Sequence, residues 1–250
     1  MTLSQPEALA RGEDVGVTDE LDIVAAVVAA IRGGDLVALQ RLIEARPDLV
    51  TARFNGRTAL LVVTDWPGYY PNGPDTVRML VAAGADPNVD TGGDAPESPL
   101  HWAASSDDLD VADALIDAGA DLETPGGSIG TPLDNAIGYG CWHVARRLVE
   151  RGARVDKLWQ AAALGLMSRV QEFVAATPAP GRQEINEAFW QACHGGQRRT
   201  AEYLLGCGAD INTTVPYADG TALDAVTGPD TRRDTLANWL REQGAQPDAH

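Results

Sequence analysis

The segment Ser98–Asp121, SPLHWAASSDDLDVADALIDAGAD, limits the possible folds of this chain more than any other stretch. Ser98 suits a helix N-cap and Pro99 the first helical position, where no N–H is required; Leu100, Ala103 and Ala104 then share one face. Asp107 and Asp108 interrupt that pattern and open a second helix. Its apolar residues Val111, Ala112, Leu115 and Ile116 recur at helical spacing until Gly119, which tolerates a positive-φ cap. Neither helix is long enough to be stable alone. The pair buries its apolar faces only if similar pairs stack on both sides, so the segment predicts a repeat.

Repeats are present along the chain. Ile23, Ala26, Val27, Ala30 and Ile31 form one helical face; after Gly33-Gly34, Leu36, Leu39, Leu42 and Ile43 form a second. Gly56-Arg57-Thr58-Ala59-Leu60 opens the next unit, which closes on Gly84-Ala85-Asp86. The Ser98 unit is third. The fourth begins at Gly130-Thr131-Pro132-Leu133 and ends at Gly152-Ala153. A fifth, from Lys157, keeps Leu158, Ala161 and Ala162, then Val170, Phe173 and Val174, and stops at Thr177-Pro178-Ala179-Pro180-Gly181. The sixth carries Phe189, Ala192 and Cys193 into Gly208-Ala209-Asp210-Ile211-Asn212, and the seventh runs from Gly220-Thr221-Ala222-Leu223 to Gly244-Ala245. Gly84 to Gly119 is 35 residues, Gly119 to Gly152 is 33 and Gly208 to Gly244 is 36. The second unit is about five residues longer between its helices. The extra residues lie in Asp65-Trp66-Pro67-Gly68-Tyr69-Tyr70-Pro71-Asn72-Gly73-Pro74, whose three prolines and three aromatics predict a structured loop.

A period near 33, a Thr/Ser-Pro/Ala-Leu opening and a Gly-Ala-Asp ending resemble the ankyrin repeat, and Ser98-Pro99-Leu100-His101-Trp102-Ala103 is one residue from T-P-L-H-x-A. The resemblance covers roughly Leu21 to Pro247 and is weakest in the turns of the first and fifth units. Including the Asp65–Asn72 insertion, the chain also looks like a recurring type of small bacterial ankyrin protein. The resemblance implies an all-α solenoid of about seven helix pairs over residues 21–249, preceded by residues 1–20 as a mobile acidic tail. It also implies that the first helices line a concave groove, each unit adding one or two side chains at steps of about 8–10 Å.

Composition narrows the partners. The net charge of −17, with Lys157 the sole lysine, argues against nucleic acid, which needs basic stripes. No apolar run approaches the roughly 20 residues that span a bilayer, and no signal peptide is apparent, so a cytoplasmic protein without membrane contact is expected. Cys141, Cys193 and Cys207 are odd in number and lack C-x-x-C spacing, which suits reduced thiols. Cys193 and His194 are adjacent on a helix and point about 100° apart, a poor nucleophile–base pair.

The position of His101 in successive units holds Leu61, His101, Asp134, Trp159, Trp190 and Asp224; one turn further lie Asp65 and Trp66, Ser105 and Ser106, Tyr139, Leu164 and His194. With regular stacking these rows predict an aromatic and acidic groove. The leading expectation is a binding module for a protein, peptide or small organic ligand. Trp66, Tyr69, Tyr70, Ser105, Ser106, Tyr139, Trp159, Trp190 and His194 are its candidate contacts. Carboxylates around the aromatics favour a cationic or hydrogen-bond-donating partner. The rival expectation is a cofactor-independent enzyme of isomerase, cyclase or dehydratase type with Asp65, His101 and Asp134 as acid/base groups, since a carboxylate can fix an imidazole tautomer. A purely assembling role is a third. No metal site is predicted: His143 and Cys141 alone make a poor zinc signature, and His194 lies about 24–30 Å along the stack from His101. Gly126-Gly127-Ser128-Ile129-Gly130 satisfies G-x-S-x-G but follows an inter-repeat turn where a nucleophile elbow needs a strand. No phosphate-loop or dinucleotide motif is present.

Overall fold

The computed structural model describes residues 20–127, 129–227 and 233–248; residues 1–19 of the predicted tail and Ser128 lie outside them, while Glu20, expected in the tail, begins the first helix. Fourteen α-helices, one short 3-10 helix and no strands longer than an isolated bridge occur among the described residues. They form seven helix pairs, as the repeats predict. The chain divides into two compact units, Met1–Ala153 and Arg154–His250.

The first unit holds four pairs: Glu20–Gly33 with Leu36–Ala45, Ala59–Val63 with Gly73–Ala82, Pro99–Ser105 with Leu109–Asp117, and Pro132–Gly138 with Trp142–Glu150. The faces read from periodicity are buried: Ile23, Ala26, Val27, Ala30 and Ile31 in the opening helix, and Leu100, Ala103, Ala104, Val111 and Leu115 in the third pair. Pro47–Val50 adds a 3-10 turn that periodicity does not reveal. Gly73 and Pro74, expected in the loop, instead begin a helix, because a proline in the first turn needs no N–H partner.

The second unit holds Leu158–Ala163 with Met167–Val174, Arg182–His194 with Arg198–Gly206, and Ala222–Thr227 with Asp234–Glu242. Its core centres on Phe189, Val170, Leu204 and Leu240. The Arg182–His194 helix is the longest of this unit. It starts well before Phe189 because the Glu184 carboxylate accepts the Gly181 N–H at 2.7 Å and closes an additional first turn.

Asparagines at the ends of the Gly-Ala-Asp-x-Asn turns register the repeats. Asn88 donates to the Gly119 carbonyl at 3.1 Å and accepts the Asp121 N–H at 2.7 Å; Asn212 accepts the Gln246 N–H at 2.8 Å. The backbone groups freed by each turn are thereby satisfied from the preceding repeat.

Candidate functional site

The row containing His101 does not form one continuous groove. In three of its six units the side chain closes the first turn of its own helix. Asp134 accepts the Thr131 N–H at 2.8 Å, Asp224 accepts the Thr221 N–H at 2.8 Å, and His101 does the same with an imidazole. The Ser98 N–H donates to His101 Nδ1 at 3.1 Å, so the proton sits on Nε2, which donates to the Gly130 carbonyl at 3.0 Å. The ring is 0% exposed, and that burial lowers its pKa from 6.5 against the opposing influence of the Gly130 carbonyl and nearby carboxylates. Gly126 has no room for a Cβ beside this ring and the Pro96 carbonyl. Gly126 and Gly130 pair across a tight turn held by His101, so the G-x-S-x-G spacing marks inter-repeat architecture. The signature Ser/Thr-x-x-His/Asp was readable as a capping box.

Asp65 is bound to two guanidinium groups, Arg57 at 2.6 Å and Arg32 at 3.1 Å. Asp65, His101 and Asp134 are therefore each committed to a separate structural task. Asp134 lies near enough to His101 to act on it electrostatically, while Asp65 is held by the two arginines.

The next row does form a recess in the first unit. Asp65, Trp66, Ser105, Ser106 and Tyr139 line a cleft of about 350 Å³ together with Arg57, Thr64, Glu97 and Trp102. Trp66 is 79% exposed and Tyr139 62%. The insertion that carries Trp66 is fastened at both ends. Asn72 donates to the Gly34 carbonyl at 2.9 Å, while the Tyr69 N–H donates to Asp108 at 2.6 Å and the Tyr69 hydroxyl to the Asp107 carbonyl. Tyr69 and Tyr70 consequently brace the loop outside the cleft, Tyr70 donating weakly to the Trp66 carbonyl at 3.4 Å. Gly68, at φ +77°, lies against Ser106 and Asp108 where only a small residue fits.

Arg57, Thr64, Glu97 and Trp102 line this cleft without having been sequence candidates for it, and Asn135 lies behind them. Arg57 lies 5.1 Å over the Trp102 ring while it pairs with Asp65. Glu97 accepts the Trp102 indole N–H and an Asn135 amide N–H, both at 3.0 Å. Asn135 also donates to Ser105 at 3.3 Å. The available signal was a polar Asn135 beside Ala136 and Ile137 in a short inner helix.

In the second unit, Trp159 lines a separate cleft of about 430 Å³ with Phe173, Pro178, Glu184 and Glu187, and Lys157 lies 5.3 Å over its ring. Trp190 is buried: its indole donates to the Gly220 carbonyl at 3.4 Å, its ring stacks on His194 at 5.2 Å, and Tyr217 meets it edge-on at 6.2 Å. Gln191 donates to the Tyr217 hydroxyl, which in turn donates to Glu187. Burial pushes the Cys193 thiol up to about 12 and Cys141 up to about 11, which removes both as nucleophiles near neutrality.

Helix pairs joined by Gly-Ala-Asp turns, registered by asparagine and sharing inner faces, define a helical repeat protein. Residues 69–157 match the family model described as ankyrin repeats in three copies. Two ankyrin-type relatives agree: an ankyrin repeat and KH domain-containing protein of Caenorhabditis briggsae, 27% identical over 148 residues, and a transient receptor potential cation channel subfamily A member 1 homolog of Caenorhabditis elegans, 31% identical over 141 residues. The matches cover 56% and 53% of this chain but only 6% and 12% of those proteins. Residues 69–157 are thus of the ankyrin-repeat kind, and ankyrin repeats are generally protein-interaction modules. No helix among the described residues is long and apolar enough to cross a membrane.

Proposed function

We propose that this chain binds a protein or peptide partner over the cleft between Arg57 and Tyr139. The observation that carries the reading is the exposure of Trp66 on a loop anchored to Gly34 and Asp108. Holding a large aromatic side chain out in water on a braced support serves no core; it supplies contact area with little ordering cost on association. Tyr139 faces the same cleft from two repeats away, which gives the face a second aromatic anchor. The acid/base reading has no comparable support, since its three groups are separately engaged. The test is affinity capture with the parent chain and with Trp66→Ala and Tyr139→Ala variants. Loss of specific partners from the variants is expected; retention of every partner by both would overturn the proposal.

A further inference from the structure

The two carboxylates in the cleft differ in their partners. Asp65 is neutralised by Arg57 and Arg32. Among the described residues Glu97 takes part in no ion pair; its oxygens accept the uncharged N–H groups of Trp102 and Asn135. A carboxylate with only neutral donors on it has acceptor directions left for a further partner. Beneath it, Asn135 is 1% exposed; its amide nitrogen touches Glu97 and Ser105, both in the cleft wall, while its Oδ1 has no hydrogen-bond partner. Asn135 Oδ1 is itself closed to solvent, so a cation entering the cleft meets Glu97, which the Asn135 amide holds in place from behind.

The cleft already shows what such a cation meets. Arg57 holds a guanidinium over one face of Trp102 while bonding a carboxylate. Planar, weakly hydrated guanidinium combines aromatic stacking with forked donation better than ammonium does. The exposed aromatics of the same cleft are Trp66 and Tyr139. Resting on the binding face assigned above, we propose that Glu97, braced from behind by Asn135, seats one arginine side chain of the partner in the cleft it shares with Trp66 and Tyr139. The chain's net charge of −17 favours approach of such a basic segment.

The test titrates the intact, nitrogen-15-labelled protein with acetyl-Gly-Arg-Gly-amide and with its lysine and citrulline counterparts, following the Trp102 indole and Asn135 amide signals. The arginine peptide is expected to shift both saturably. Citrulline, which keeps the shape without the charge, is expected to bind at least about tenfold more weakly, and lysine to fall between them. Glu97→Gln retains an acceptor for Trp102 and is expected to lose about tenfold in arginine binding. Equal binding of arginine and citrulline, equal binding of arginine and lysine, no saturable shift, or an unaffected Glu97→Gln variant would each overturn the assignment. Partner capture that depends on Trp66 but shows none of these arginine effects leaves the binding face standing and removes the arginine seat. Glu97-dependent arginine binding with partner capture indifferent to Trp66 and Tyr139 does the reverse.

Discussion

Asp65 receives Arg57 at 2.6 Å and Arg32 at 3.1 Å on the same oxygen, so one carboxylate ties the end of an inner helix to the start of its own repeat and to the repeat before it. The side chain of Asp65 is 14% exposed, while both arginines are more than two-fifths exposed, which limits the strength of each pair by screening. A double-mutant cycle on Asp65→Asn and Arg57→Gln should return a coupling of about 1 kcal/mol, weakening as salt is raised. Urea unfolding of the four proteins measures it.

His101 makes stability depend on pH. Its folded-state pKa lies below 6.5, so between that lowered value and 6.5 the unfolded chain binds the proton that the native ring refuses. The histidine's contribution is therefore fully present above the unfolded pKa and declines as pH falls through 6.5. His101→Gln should cost about 2–4 kcal/mol at pH 7.5 through lost hydrogen bonds to Ser98 and Gly130. The gap between parent and variant should narrow as the pH is lowered toward 5, in denaturant titrations at matched ionic strength.

The Asn88 clip acts between repeats. Asn88→Ala removes one donor and one acceptor at a solvent-exposed turn, so a loss of about 1 kcal/mol is expected. Hydrogen exchange should accelerate first at the Asp121 amide, with the Leu109–Asp117 helix little changed.

Trp66→Ala should leave unfolding free energy within about 0.5 kcal/mol of the parent, because an exposed side chain contributes little to folding. Phe189→Ala, which empties a fully buried position in the second unit, should cost about 3–5 kcal/mol. Calorimetry on both variants separates a binding role from a packing role.

The architecture was legible because most repeats restate it: helical spacing recurs throughout, and a Gly-Ala stop closes five of the seven units. The cleft was half legible. Asp65, Trp66, Ser105, Ser106 and Tyr139 do share it, since a fixed offset along equivalent helices stays on one face. The row at His101 misled because exposure depends on which side of the helix meets the preceding turn, and the third helical position points back at the cap. Trp190 looked like an aromatic contact and proves to be packed against Tyr217 and His194, partners fixed by tertiary packing within the second unit. Arg57, Glu97 and Asn135 escaped notice because their meaning lies in one another: an arginine before the helix, a glutamate before a serine and an asparagine between Asp134 and Ala136 acquire a shared role only when repeats stack.

The fastening of the insertion has a mechanical consequence. Its Asn72 end holds the turn at Gly34 and its Tyr69 end holds the turn at Asp107 and Asp108, so a surface loop cross-ties the first, second and third repeats at their helix junctions. Linear arrays ordinarily fray one repeat at a time from a free end. Here the N-terminal three are laced together, and pulling on that end should release them as one block in a single large extension step.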